Sequence, residues 1–279
     1  MGCREIPQEH EIETLTGGGN MKIIIPMTGY GSRFVAAGYK DLKPFIEVQG
    51  IPIIEWIIKG MYAEETDFLF ICRQEHLDRI AGMRERLLNI APTARIFAVD
   101  EWVKKGPVYD VLRASDLIDD NGQCIINYCD FYMTWDYAKF VKDVTERDCD
   151  GCIPCYTGFH PHLLVEKNYY ASCLTDGSDN LVEIREKYSF EKDKTRARHS
   201  PGVYYFKTGR LLKKYCQMLV DSGQMLNGEY YASLPYNFMV RDGLKVWVPT
   251  NVDKFCQWGT PEDMGDYLFW TECVRRFEE

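Results

Sequence analysis

The chain has no apolar run approaching the ~18 residues that a membrane-crossing helix needs. It has no excess of positive charge either: 33 Lys and Arg stand against 42 Asp and Glu, a formal net charge of −9. A nucleic-acid binder needs a basic face to displace counterions from phosphates, so nucleic acid is not expected as a partner. No basic and apolar secretory leader opens the chain, whose first twenty residues are polar and contain EHEIE. The start MGC falls short of a myristoylation signal because Ile6 stands where Ser or Thr is required. The dipeptide Gly-Lys is missing throughout, which removes a Walker phosphate loop. These absences leave a cytoplasmic protein, without membrane partner, as the expectation.

What is present is an ordinary globular composition, 46% hydrophobic and 27% charged, enough for a substantial core. The 11 cysteines are odd in number and read as reduced. Cys149, Cys152 and Cys155 in DCDGCIPC have the CxxC spacing of a metal site, but no fourth Cys or His follows at finger spacing. Gly151 and Pro154 give that segment the look of a strand start instead. His160 and His162, in HPH, are secondary candidates for binding a metal or a phosphate.

Residues 1–20 end in TGGGN before Met21 and are expected to form a flexible leader or extension. From Lys22 strands and helices alternate: KIIIP, DFLFICR, ARIFAVD and QCIINYCDFYM as strands, with helices over IPIIEWIIKGMY, QEHLDRIAGMRERLLNIA and VYDVLRASDLI between them. That rhythm predicts a mostly parallel sheet with helices on both faces. Shorter strand-like pieces follow, then helices over GRLLKKYCQMLVDSG and TPEDMGDYLFWTECVRRF, the last capped by Thr260 with Pro261 behind it. Residues 21–279 read as one α/β domain with halves at 22–145 and 146–279.

After the first strand comes PMTGYGSRF. A dinucleotide fingerprint fails because Phe34 holds the third glycine position. What remains is a glycine loop whose N–H groups can approach an anion, followed by the Arg33 guanidinium, or simply a strand-to-helix turn. Lys43 stands ten residues on, in LKPFIEVQGIPII.

From these residues onward the chain resembles the sugar-phosphate nucleotidyltransferases. GYGSRF and KPFIEVQGIPII are similar to that family's nucleotide-binding signature, KKGPVYDVLRAS to its loop near the nucleobase, and IINYCDFY to the strand ending in its metal-binding Asp. EIREK, SPGVYYF, NGEYYASLPYN and FCQWGTPED follow in family order, so the resemblance spans residues 21–270. It implies a Rossmann-like (GT-A type) three-layer sandwich with a mixed acceptor-binding subdomain in the second half. It also implies Mg²⁺ as cofactor, with a nucleoside triphosphate and a phosphorylated small molecule, a sugar 1-phosphate foremost, as substrates.

By the same resemblance Arg33 holds the β- and γ-phosphates, Lys43 sits on the α-phosphate and Asp130 binds the metal. Met27, Thr28, Gly29, Tyr30, Gly31 and Ser32 cradle the nucleotide, with Glu101, Gly106 and Pro107 beside the base. Glu186, Lys187, Gly202 and Glu229 face the acceptor. The chain departs from the family at Gln257, where many members carry a second metal-binding Asp. Asp253, four residues earlier, is a candidate substitute, and Gln257 itself brings an amide oxygen but no charge. A nucleotide sugar for surface polysaccharide is the implied product. The rivals are cytidylyl transfer to phosphocholine or a phospho-polyol, a GT-A glycosyltransferase, and a binding module that has lost catalysis.

Overall fold

Strand β1 (Lys22–Pro26) is buried along its whole length, as a strand covered on both faces must be. The computed structural model describes residues 21–101 and 103–278, so the leader expected over residues 1–20 lies outside the described residues. After β1 come α1 (Ser32–Ala36), a hairpin of β2 (Glu47–Val48) and β3 (Ile51–Pro52), and α2 (Ile53–Glu55), which runs on as a π-helical turn over Trp56–Met61. Next are β4 (Phe68–Arg73), α3 (Gln74–Arg79), α4 (Met83–Ile90), β5 (Arg95–Val99), α5 (Pro107–Arg113) and β6 (Cys124–Asn127). The second half holds β7 (Phe131–Trp135), α6 (Tyr137–Arg147), β8 (Gly151–Cys152), β9 (Ser172–Thr175), β10 (Leu181–Arg185), β11 (Arg198–His199) and β12 (Val203–Phe206). The chain closes with α7 (Gly209–Ser222), α8 (Pro235–Arg241), β13 (Val246–Trp247), β14 (Val252–Gln257) and α9 (Pro261–Glu278).

Seven strands form the central sheet in the order β13-β8-β12-β6-β1-β4-β5. The β5, β4, β1 and β6 neighbours are parallel, and β12 runs against both β6 and β8. Alternate side chains part to the two faces. Ile23, Ile25, Phe68, Phe70, Val203 and Tyr205 join one core with α2, α4 and α6. Ile24, Leu69, Ile71, Tyr204 and Phe206 join the other with α5, α7 and α8. The result is the mostly parallel, three-layer α/β architecture that the sequence predicts. Outside it, β10-β9-β11 form a small sheet, and β7 pairs antiparallel with β14.

Three local expectations are corrected. The helix expected over residues 74–91 is two helices, because Gly82 takes a left-handed φ of 71° between them. The helix expected over residues 51–62 begins only after Pro52 and widens into the π turn, where Gly60 packs on the Tyr132 ring. The single strand expected over residues 123–133 breaks at Tyr128–Asp130, leaving the central sheet at β6 to join β14 as β7.

That break is held in the core. Tyr62 donates its hydroxyl to Asn127 Oδ1 at 2.7 Å, and Asn127 Nδ2 donates to the Tyr128 carbonyl at 2.7 Å. Both Tyr62 and Asn127 are fully buried. Asn127→Ala leaves the Tyr62 hydroxyl buried without its acceptor, and is expected to lower stability by ~1–3 kcal/mol in urea unfolding monitored by circular dichroism.

Candidate active site

In a parallel sheet the carboxyl ends of the strands share one edge, and the loops leaving β1, β4, β5 and β6 meet there. The loop after β1 has a buried floor and an exposed rim. Met27 is buried and its N–H donates to the Ile71 carbonyl at 2.8 Å. Thr28 is buried, and its hydroxyl donates to Asp110 Oδ2 at 2.5 Å. Arg73, at the end of β4, donates from Nε to the Thr28 carbonyl and lays its guanidinium 3.3 Å from the Tyr30 ring centroid. Gly29 has open space where a side chain would stand, Gly31 takes a left-handed φ of 61° as α1 starts, and Ser32 and Arg33 are exposed. The loop is clamped from below, with its rim left to solvent. The clamp residues Arg73 and Asp110 are absent from the sequence reading, since no spacing links positions 28, 73 and 110.

The second wall forms around Lys43. Its ammonium donates to Asp130 Oδ2 at 2.8 Å and to the Gly259 carbonyl at 2.8 Å, tying the loop after α1 to the β6–β7 break and to the segment after β14. A Cβ built on Gly259 would stand 3.5 Å from Asp130 Oδ2, 3.8 Å from Gln257 Nε2 and 3.9 Å from Lys43 Nζ, so these three groups converge on one small space. Gln257, opposite Phe131 in the β14–β7 ladder, donates from Nε2 to Asp263 Oδ2 at 2.5 Å. The Thr260 hydroxyl donates to the same Asp263 oxygen at 2.6 Å. Gln257 Oε1 is buried and has no hydrogen-bond partner among the described residues. Burial pushes the Asp263 carboxyl above its ordinary range, opposed in part by the Thr260 hydroxyl bond.

Asp253 does not belong to this group. It is exposed, near the Thr134–Trp135 end of β7, four residues from Gln257. At ~3.3 Å per strand residue that is about 13 Å along the strand. Among the described residues no three or more His, Cys, Asp or Glu side chains form a metal cage. A hard cation that keeps water and substrate phosphates needs only one or two carboxylates, however; Asp130 offers one, and Gln257 Oε1 is an unsatisfied buried acceptor on the neighbouring strand.

On the opposite side the loop after β5 meets the segment before α8. Gly106 has φ 88°, and a Cβ there would fall 2.8 Å from Tyr230 N and 2.9 Å from Glu229 Cβ. Tyr230 N–H donates to the Lys105 carbonyl at 2.7 Å, and Pro107 opens α5. Glu229 accepts from the Tyr231 hydroxyl at 3.1 Å and lies 3.6 Å from Lys104 Nζ. Glu186 accepts from the Ser233 hydroxyl at 2.5 Å, and Lys187, at a left-handed φ of 54°, holds its ammonium over the Tyr231 ring. Glu186, Lys187 and Glu229 therefore meet around Tyr231–Ser233. Glu101 is exposed, with its carbonyl accepting from Arg113.

Gly202 takes a φ of 115°, and the Tyr128 and Phe131 rings lie 3.0 and 3.1 Å from a built Cβ, so the close approach of two aromatic side chains by itself accounts for a glycine there. His160 and His162 pack with Tyr156, whose hydroxyl lies 2.8 Å from His162 Nε2. Burial pushes His162 down to about 3, so it is uncharged near neutrality and offers a phosphate no ion pair.

The fold is a Rossmann-like three-layer α/β sandwich, and its likeness to solved structures is a likeness of fold. The nucleoside-diphosphate-sugar pyrophosphorylase of Vibrio cholerae superposes with a TM-score of 0.70 at 22% identity, over 88% of this chain and 99% of that one. The inositol-1-phosphate CTP transferase of T. maritima gives 0.66 at 15% identity, over 88% and 93%. A UDP-glucose pyrophosphorylase in complex with UDP-glucose gives 0.70 at 14% identity, over 92% and 100%. No protein-family model and no curated protein matches the chain.

Burial pushes the Glu186 carboxyl up to about 7, only partly offset by the Ser233 hydroxyl and the Lys187 charge. Above the ordinary carboxylate range and up to about 7 the folded chain holds a proton that the unfolded chain has released. Its stability therefore falls as pH rises through that window. Glu186→Gln keeps the protonated shape and never ionises, so thermal melts should show the variant no more stable than the parent at pH 4 and more stable at pH 8.

Proposed function

We propose that the chain transfers a nucleoside monophosphate from a nucleoside triphosphate to a phosphorylated small molecule, a sugar 1-phosphate foremost, with release of pyrophosphate. The observation that carries this reading is the convergence of Lys43, Asp130, Gln257 and Gly259 beside a clamped glycine loop at the carboxyl edge of the sheet. The similarity in fold to two pyrophosphorylases and a CTP transferase supports it.

In this reading an acceptor phosphate oxygen attacks the α-phosphorus of the triphosphate. The new P–O bond forms as the bond to the pyrophosphate oxygen breaks, so the protein's work is alignment and charge neutralisation. Arg33 offers a planar fork to the terminal phosphates. Lys43 leaves its pairing with Asp130 in part to follow the charge that develops on the α-phosphate. Mg²⁺, when bound at Asp130, supplies further neutralisation of the transferring group. Glu186, Lys187 and Glu229 line the acceptor wall, and the loop of Glu101, Gly106 and Pro107 faces the base. A nucleotide-activated precursor for surface polysaccharide, made in the cytoplasm, is the product this chemistry suits. The fold likeness to an inositol-phosphate transferase favours one second reading, a phospho-polyol acceptor with CTP.

A glycosyltransferase reading loses support, since the DCD motif is structural. Asp148 pairs with Lys207 at 2.7 Å, and Asp150 Oδ2 accepts from the Lys245 N–H at 2.9 Å.

Incubation with CTP, UTP or dTTP, Mg²⁺ and a panel of sugar and polyol phosphates should release pyrophosphate with at least one pair. Silence across a broad panel would sink the transferase reading. In the productive pair Lys43→Ala should lower kcat by ~10²–10³-fold, the scale of removing one transition-state donor, and change KM for the triphosphate far less.

A further inference from the structure

We propose that Asp263, in the first turn of α9, supplies the second carboxylate of the divalent-cation site, replacing the charge that β14 lacks at Gln257. The inference rests on the transferase reading and names a ligand for the same site.

Four observations carry it. First, Asp263 is joined to the site through Gln257, since its Oδ2 accepts from Gln257 Nε2, and that nitrogen lies 3.8 Å from the point where a Gly259 Cβ would stand 3.5 Å from Asp130 Oδ2. Second, its position is that of an acid three residues past a capping Thr. Asp263 N–H donates to Thr260 Oγ1 at 3.1 Å as in a capping box, whose acid ordinarily turns back to the cap backbone. Here Oδ2 instead takes the Thr260 hydroxyl and the Gln257 amide, two neutral donors that orient the carboxylate without neutralising it.

Third, the amide is fixed by that bond, and its Oε1 is left buried with no hydrogen-bond partner among the described residues. A buried acceptor in that state is unfavourable until a donor or a cation faces it. Fourth, the cation Lys43 already compensates Asp130, so Asp130 and an amide alone bring no net negative charge to a dication. Asp263 restores one, and the set of two carboxylates and an amide oxygen is all-oxygen, suiting Mg²⁺ or Mn²⁺ over softer metals.

The groups facing Asp263 from neighbouring elements are consistent with this. Gln257 comes from β14, Arg33 from α1, and Glu262 and Asp266 from its own helix. Arg33 sits where it offsets the acids while remaining exposed to a polyphosphate.

The test is direct titration of the protein with Mn²⁺ alone, read by the loss of the free-ion electron paramagnetic resonance signal, with folding followed by thermal melts. Asp263→Asn should weaken Mn²⁺ binding by ~10-fold or more, as should Asp130→Asn. Moving the charge back to the strand, in Gln257→Asp with Asp263→Asn, should restore binding. If Asp263→Asn unfolds the chain, Asp263→Ser takes its place. Unchanged affinity in a folded Asp263 variant overturns the inference while Asp130→Asn still registers the site. Failure of the charge-moved double variant to regain affinity, or a parent protein that takes up no Mn²⁺, overturns it as well. The pyrophosphate assay decides the transferase reading separately in each case.

Discussion

The Lys43 ammonium is the point on which the site depends. Its two bonds join residues separated by 87 and 216 positions in sequence, pulling the segment after the glycine loop, the strand break and the lead-in to the last helix onto one spot. The Lys43 and Asp130 side chains are 18% and 37% exposed, so the pair is screened and contributes modestly to stability. Its importance is geometric. It keeps a compact cation between the Asp130 carboxylate and the Gly259 carbonyl, which holds the wall in register.

That ion pair sits in a chain of net charge −9, where placed cations matter more than bulk ones. The structure shows two ways of placing them. Arg33 stays on the exposed rim, free to meet phosphate oxygens, while Arg73 is sunk beneath the loop with 1% exposure, tied to Thr28 and stacked on Tyr30. The buried arginine fixes the loop's backbone and the exposed one reaches outward from it. A glycine loop is a useful anion cradle only when its own flexibility has been removed, and the Arg73–Thr28–Asp110 network removes it from below.

The mostly parallel sheet and its layer count were legible because they rest on local periodicity, whereas the strand order was not read from the sequence. Ile23, Ile24 and Ile25 alternate between two cores, and the same alternation recurs in Phe68–Cys72. What stayed hidden was decided by contacts between distant segments. QCIINYCDFYM reads as one apolar strand, yet Tyr62 and Asn127 fix a break in it, and a buried side-chain bond has no one-dimensional signature. Asp253 was the natural substitute for Gln257 by nearness in sequence. Four residues make about one helical turn, but on an extended strand they span ~13 Å, and β14 is extended. Asp263 is six residues from Gln257 yet bonded to it, because the chain turns into α9 at Thr260.

Contacts between distant segments also join the loop after β5 to the segment before α8. Gly106 meets the backbone of Tyr230 so closely that a single added carbon would overlap it, and the Lys105 carbonyl takes the Tyr230 N–H. The loop after β5 is therefore bonded, main chain to main chain, to the segment that carries Glu229 and Ser233. Ser233 in turn holds Glu186, and the Ala232 N–H donates to the Tyr128 hydroxyl beside Asp130. Main-chain bonds resist displacement better than long side chains do, since neither partner has rotamers to lose. The loop after β5, the segment before α8 and the β6–β7 break thus form one continuous hydrogen-bonded frame.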